Sequence, residues 1–336
     1  MENNEAVLNF YGITVSIKGN AEITRKLISD FEYFLSYNNI NGQTDILLTV
    51  NLLPPPFEKV PAVPASMYKT DSISYDKDGI RYVDYLGKAL ALYDIKDNKA
   101  EIFSLSFDLL YEIAYLFIHS RTGEMLDMKG LHRIHGCAFS FENNIYICML
   151  PQGGGKSTLL MDLLKNEKVK ILSDDTPFVD QKGNVYPFPA RIGLCPDIET
   201  DYIPENFITT FNRRKFGNKK LISYEYFKNR IETRRLPVTI IYGKRFFSNT
   251  SKITRENRFY AFKELFKNCI AGLGVPQVLE YFLIGGAEDF IKKAYIVFLR
   301  FFACLMLLIK NKNVYCFHIG NDRNINSANF FKFFHK

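Results

Sequence analysis

Apolar and polar residues alternate over 7–18 with a break at Gly12, which predicts a strand with a bend. Over Ala21–Leu35 the period lengthens. Ile23, Leu27, Ile28, Phe31 and Phe34 fall on one face, as in an amphipathic helix. Asp45–Leu52 returns to strand character. Pro54–Pro56, Pro61 and Pro64 then exclude helix and inner strand, so an extended connector is expected. From 72 to 103, short runs are parted by turn signals at 76–79, Gly87 and 96–99, the pattern of an antiparallel meander. Leu105–His119 carries a broad apolar face and predicts a helix that ends near Thr122-Gly123.

The second half has a different texture. Cys137–Phe141 and Ile145–Leu150 predict a hairpin turning at Glu142-Asn143-Asn144, followed by a glycine-rich loop and a helix over Thr158–Leu164. Val169–Leu172 reads as a short buried strand ending in Ser173-Asp174-Asp175, and Phe178–Tyr186 as a second hairpin turning at 182–184. An extended run over 187–192 follows, then a central strand at Leu236–Tyr242. Helices are expected over 257–271, 275–283 and 288–310, and a last strand over Val314–Ile319. No internal repeat is visible. The fold class expected is α/β (α+β). An N-terminal α+β module over 1–125 serves substrate recognition or assembly, or lends its strands to the sheet of the domain over 126–336.

Composition narrows the function classes. The net charge of +7 in 336 residues suits anionic ligands but does not argue for nucleic acid. Six cysteines show no C-x-x-C pair and no zinc spacing, so reduced, buried thiols of a cytoplasmic protein are expected. The polar, acidic start Met1–Ala6 does not read as a signal peptide. Ala294–Ile309 is apolar apart from Arg300, but its 16 residues fall short of the roughly 20 that cross a bilayer. A buried core helix, and no membrane partner, is the expectation. The charge run at 213–220 reads as a solvated loop, with a clamp for phosphate or for an acidic partner as the functional alternative.

The chemistry concentrates at Leu150-Pro151-Gln152-Gly153-Gly154-Gly155-Lys156-Ser157-Thr158. Strand, glycine loop, Lys-Ser and helix form the layout of a phosphate-binding loop. Gly153, Gly154 and Gly155 let backbone N–H groups turn inward around a polyphosphate, and the next helix presents its N-terminus there. Lys156 would reach the terminal phosphates of ATP and Ser157 would ligate Mg²⁺, with Thr158 beginning the helix. The strict pattern has a glycine where this chain has Leu150, which raises a question of loop geometry. Asp174 and Asp175 end the strand after the loop helix, where carboxylates face the ligand crevice of an α/β sheet. One would hold Mg²⁺ and the other accept a proton from an attacking hydroxyl; the sequence leaves open which does which. His135-Gly136 precedes the hairpin that feeds the loop.

From His135 to Asp175 the chain resembles the core of bacterial HPr kinase/phosphorylase, and more closely its HPr-kinase-related relatives. The resemblance rests on His135-Gly136, the hairpin over 137–150, Gly153–Ser157 and Ile171-Leu172-Ser173-Asp174-Asp175. It implies a phosphoenolpyruvate-carboxykinase-like P-loop fold on mixed sheets. It also implies Arg191, after the proline-rich stretch, as a phosphate or substrate contact, and His135 as a residue that orients phosphate or tunes the Asp pair. It covers roughly 130–195 specifically and reaches in pattern to about 322; no motif ties it to 1–125. The relatives with this shorter core occur beside peptide-modification genes, some resembling lasso-peptide pathway kinases, and relatives are often oligomeric. The expectation is thus an ATP- and Mg²⁺-dependent kinase acting on a hydroxyl, foremost a serine of a peptide or small protein. The alternatives are a nucleotide-binding scaffold or regulator without transfer, and a small-molecule kinase or phosphorylase on the same site.

Overall fold

The bend at Gly12 is a full reversal. In the computed structural model, Tyr11 and Gly12 both take positive φ (51° and 86°), and the chain doubles back between β1 (Ala6–Phe10) and β2 (Ile13–Gly19). The structure describes residues 6–36, 44–151, 153–213, 217–275 and 278–334. Among these it is a mixed α/β protein with several sheets and seven α-helices. It divides into two compact units, the first comprising Met1–Met125, Ile208–Leu221 and Pro276–Gly285, the second Leu126–Phe207, Ile222–Val275 and Gly286–Lys336.

The first unit is built on an eight-stranded sheet. Its strands after the hairpin are β3 (Ile46–Asn51), β4 (Ala65–Lys69), β5 (Ser72–Lys77), β6 (Ile80–Asp84), β7 (Ala89–Asp94) and β8 (Lys99–Ser104), in the order β1-β2-β3-β8-β7-β6-β5-β4. The meander expected over 72–103 is β5 to β8, and β4 extends it by one strand, all antiparallel, while β3 pairs parallel to both β2 and β8. Helix α1 is shorter than the apolar period suggests. It spans Ala21–Asp30, capped by the Asn20 side chain, and breaks at Phe31 into a 3₁₀ turn over Glu32–Phe34. Phe31 instead stacks on Tyr115 of the long helix α2 (Phe107–Met128), with centroids 5.3 Å from Phe10 and 5.1 Å from Tyr115.

Helix α2 runs past Thr122-Gly123, against expectation. The Thr122 hydroxyl donates to the Ile118 carbonyl at 2.5 Å, and Arg121 pairs with Glu124 at 2.6 Å, so both side chains have a partner within the helix. The stop comes at Gly130, whose φ of 78° lets its N–H return to the Asp127 carbonyl. The charge run at 213–220 is also not a loop where it is described: β16 (Ile208–Arg213) and β17 (Gly217–Ile222) carry most of it, and 214–216 lie outside the described residues. The helix expected over 275–283 shrinks to α5 (Leu279–Phe282), with 276 and 277 outside the described residues. Arginines of the same unit take carbonyls there: Arg81 donates to Glu280 at 2.9 Å and to Ile284 at 3.2 Å, and Arg121 to Tyr281 at 2.8 Å. Those guanidinium donors compete with helical N–H groups for the carbonyls.

The second unit holds a six-stranded mixed sheet in the order β12-β10-β11-β18-β20-β19, from β10 (Cys137–Phe141), β11 (Asn144–Met149), β12 (Val169–Ser173), β18 (Val238–Arg245), β19 (Lys252–Arg255) and β20 (Asn313–Ile319). β11, β18 and β20 run parallel, flanked by antiparallel neighbours. A small sheet of β9 (Leu131–Arg133), β13 (Phe178–Asp180) and β14 (Val185–Tyr186) lies apart, and β15 (Ile192–Leu194) follows it in the chain. Helix α3 (Lys156–Leu163) follows the glycine loop. The helix expected over 257–271 is α4 (Arg258–Leu265) continuing into a π-turn over Phe266–Ile270. α6 (Ala287–Lys310) and α7 (Arg323–Phe334) complete the unit. The core lies between the central strands and one side of α6, with Ile147, Ile240, Val314, Ala303 and Leu307 fully buried.

α6 is only half the core helix that its composition suggests. Ile296, Arg300, Ala303, Cys304 and Leu307 face the core, while Phe290, Phe298, Phe302 and Ile309 are exposed. Arg300 is buried because it is paired: its guanidinium lies 2.5 Å and 3.1 Å from the two oxygens of Asp127, at the end of α2. Among the described residues, no helix is long and apolar enough to cross a membrane. Five of the cysteines are buried thiols; Cys195 is exposed.

Candidate active site

Strand register explains why residues far apart in sequence meet. β10 lies between β11 and β12, so Cys137 pairs with Cys148 and Ala138 with Ser173. The residues just before β10 therefore stand beside both the exit of β11 and the exit of β12. A register shift between Ala138 and Phe139 bends the strand at that end. Gly136 donates its N–H to the Asp175 carbonyl at 2.9 Å, and a side chain there would meet the Cys148 carbonyl at 2.8 Å. His135, Asp174, Asp175 and the glycine loop are gathered by this one strand alignment.

The loop itself answers the question posed by Leu150. That residue takes no left-handed conformation and is buried, so no glycine is required of it. It packs over Gly243 of β18, where a Cβ would stand 2.6 Å from the Leu150 Cδ2. The glycines that matter come later. Gly153 and Gly155 have φ of 69° and 80°, and nothing lies within 4 Å of where their Cβ atoms would be, so the loop's outer face is open. Gly154 has no such room, since a Cβ would meet the Pro151 carbonyl at 2.7 Å. Gln152 lies outside the described residues. Gly155 is the N-cap of α3 and offers it no side-chain hydrogen bond, which leaves the helix's first N–H groups available to an anion.

Five side chains then form a pair and a chain of three. The Ser157 hydroxyl donates to the Asp174 carboxylate at 2.9 Å. The Lys156 ammonium lies 3.1 Å from His135 Nε2 and 3.4 Å from the Leu150 carbonyl. The other imidazole nitrogen, Nδ1, lies 3.4 Å from the Asp175 carboxylate. Burial pushes the His135 imidazole below its ordinary value; Asp175 opposes that and Lys156 adds to it. A neutral ring accepts from Lys156 through Nε2 and leaves Nδ1 facing the Asp175 carboxylate. The Asp175 side chain is 50% exposed, that of His135 14%. Thr158 is half-buried on the first turn of α3. Arg191 is half-buried at the end of the extended run after β14, a run tied to β12 by the Phe188 N–H on the Leu172 carbonyl at 2.8 Å.

Two supports of His135 have no sequence signal pointing at them. The π-turn supplies the Asn268 carbonyl, which accepts the His135 backbone N–H at 2.8 Å. Gly274 lies against the imidazole: a Cβ on it would stand 2.8 Å from both Cδ2 and Nε2. With φ of 83°, Gly274 is also in a conformation that suits glycine. The run Gly272-Leu273-Gly274 is visible in the sequence as a turn, but nothing there pairs it with a histidine so far upstream.

Among the described residues, no group of three or more His, Cys, Asp or Glu is placed to hold a metal ion. The donors on hand are the Ser157 hydroxyl and the carboxylates of Asp174 and Asp175. This oxygen-only, two-carboxylate set suits Mg²⁺, which keeps waters and takes its remaining ligands from phosphates. Against known proteins, the chain matches no family model and no curated sequence.

Proposed function

We propose that the chain is an ATP- and Mg²⁺-dependent kinase of the HPr-kinase-related kind, transferring the γ-phosphoryl group to a hydroxyl, foremost a serine of a peptide or small protein. The observation that carries this reading is the convergence of Lys156, His135, Ser157, Asp174 and Asp175 beside an open glycine loop at a helix N-terminus. In this reading the second unit is a P-loop kinase domain, and the first recognises the acceptor or serves assembly. The half-exposed Asp175 favours an acceptor that arrives from solvent, as a peptide does.

The side chains divide the work. Gly153–Gly155 and the start of α3 hold the phosphates by backbone N–H groups. Lys156 moves its charge onto the transferred group, leaving His135 for phosphate oxygen. Ser157 and Asp174, already hydrogen-bonded, would hold Mg²⁺, which supplies charge neutralisation on the phosphates. Asp175 is the general base: it takes the proton of the acceptor hydroxyl as the hydroxyl oxygen bonds to phosphorus and the bond to the leaving ADP oxygen breaks. Arg191 is a further phosphate contact. Labelled ATP and a panel of serine peptides test the scheme. Asp175→Asn should cut transfer by about 10²–10⁴-fold while leaving nucleotide affinity near wild type. Undiminished labelling by that variant would remove Asp175 from the chemistry.

Gly274 gives a second, subtler prediction. Gly274→Ala should push the imidazole off its position between Lys156 and Asp175 and lower kcat/KM by up to about 100-fold, the cost of a misplacement near 1 Å. A neutral His135 is needed, so wild-type activity should fall with acidification only below the ordinary histidine value of about 6.5. Turning the ring toward water relieves its burial, so in the variant this acid limb should move up toward that value. A variant with reduced activity and an unmoved acid limb would mean that Gly274 does not act through His135.

A further inference from the structure

Helix α6 is apolar on two sides, and its own chain buries only one of them. Ile296, Arg300, Ala303, Cys304 and Leu307 point into the core. The opposite side, an arc of about 160° at 100° per residue, carries no charge. Apart from buried Leu308, its large residues, among them Phe290, Phe298, Phe301, Phe302, Leu305 and Ile309, are 36% to 75% exposed. Phe301 is steadied from the side by the Phe262 ring of α4, edge-on at 5.8 Å. At 150–250 Å² per aromatic side chain, such a face offers on the order of 800 Å², beyond what a monomer ordinarily leaves contiguous. It equals about one partner's share of a standard protein interface.

We infer that this face is the interface of a two-fold dimer in which α6 packs antiparallel against α6 of a second copy. The spacing of the exposed residues carries the choice of partner. A two-fold axis crossing the helix between Leu299 and Arg300 maps the central apolar set onto itself. Phe290 falls on Ile309, Ala294 on Leu305, Val297 on Phe302 and Phe298 on Phe301 of the second copy. Small faces large at two of these positions, as interdigitation requires. An antiparallel pair also sets the two helix dipoles against each other. A membrane-surface helix would instead carry a row of cations along its polar flank. Here Arg300 is turned inward to Asp127 and Lys293 is paired with Asp289 at 3.1 Å.

Sedimentation velocity over a wide concentration range, with the full chain, tests the inference. Wild type should sediment as a dimer. Phe298→Glu and Phe302→Lys should each abolish the dimer while leaving circular dichroism and thermal unfolding of the monomer unchanged, since both side chains are exposed. Orientation is read by cross-linking on a Cys195→Ser background, because Cys195 is the exposed thiol. Protein bearing Phe290→Cys should form disulfides with protein bearing Ile309→Cys and little with itself. A monomeric wild type at all concentrations, a dimer that survives both charge substitutions, or cross-linking of like with like would overturn the proposal. So would monomeric binding to phosphatidylcholine–phosphatidylglycerol vesicles that Phe298→Glu abolishes, which would assign the face to lipid.

Discussion

Replacing Lys156 by alanine is expected to lower phosphoryl transfer by about 10³-fold at saturating ATP, because the lysine supplies fixed charge where charge develops. The loss should fall mainly on kcat. Backbone N–H groups of Gly153–Gly155 and the α3 N-terminus remain to hold the nucleotide, so binding should weaken far less than turnover. The structure adds a distinguishing detail. With the ammonium gone, His135 Nε2 loses the partner 3.1 Å away, and the coulombic push that helps keep the ring neutral goes with it. The acid limb of residual activity should therefore move upward in pH. Lys156→Arg keeps the charge, so it should leave that limb near wild type even if the longer head group lowers the rate. Single-turnover transfer with labelled ATP, across pH, measures both effects. An alanine variant that turns over as wild type would exclude the proposed chemistry outright.

What the sequence makes legible at this site is what strand pairing makes local. Between His135 and Asp175 the chain makes one hairpin, one loop, one helix and one returning strand, so period and turn signals suffice to bring the ends together. The parts that escape are held by distant contacts. Asn268 and Gly274 reach His135 only because the π-turn packs beside it. Helix α7 has no apolar stripe of its own. It is fixed by the Arg323–Asp162 pair at 2.6 Å and by Phe334 stacking on Phe141 at 4.7 Å, neither of which a period can reveal. The pattern over Ala294–Ile309 announces burial correctly for one side of α6, but hydrophobicity cannot say which molecule does the burying. At α2 the misleading signal is Gly123, read as a stop although its neighbours' side chains find partners within the helix; the working stop is Gly130, where φ is positive.

Removing the Asp127 carboxylate should cost the fold about 3–5 kcal/mol, because it strands the Arg300 guanidinium in the interior. Asp127 is wholly buried at the end of α2, with both oxygens on Arg300 and one of them 2.8 Å from His132 Nδ1. Gln181, in the turn after β13, lies 2.6 Å from the other His132 nitrogen and donates to the Leu299 carbonyl at 3.0 Å. The cluster thus fastens the end of α2 and the small sheet to α6. Burial alone would raise the Asp127 carboxyl, but Arg300 and His132 outweigh it and hold it down to about 2. A carboxylate depressed in the folded state stabilises that state fully above its unfolded value of about 3.9 and loses the contribution as pH falls toward 2. Urea unfolding should show Asp127→Asn destabilised at pH 7, with the gap to wild type closing between about pH 4 and 2. The double variant Asp127→Leu/Arg300→Met should recover much of the loss, since removing both charges leaves nothing buried and unpaired. A double variant as unstable as Asp127→Asn would show that shape, and not the stranded charge, dominates at this position.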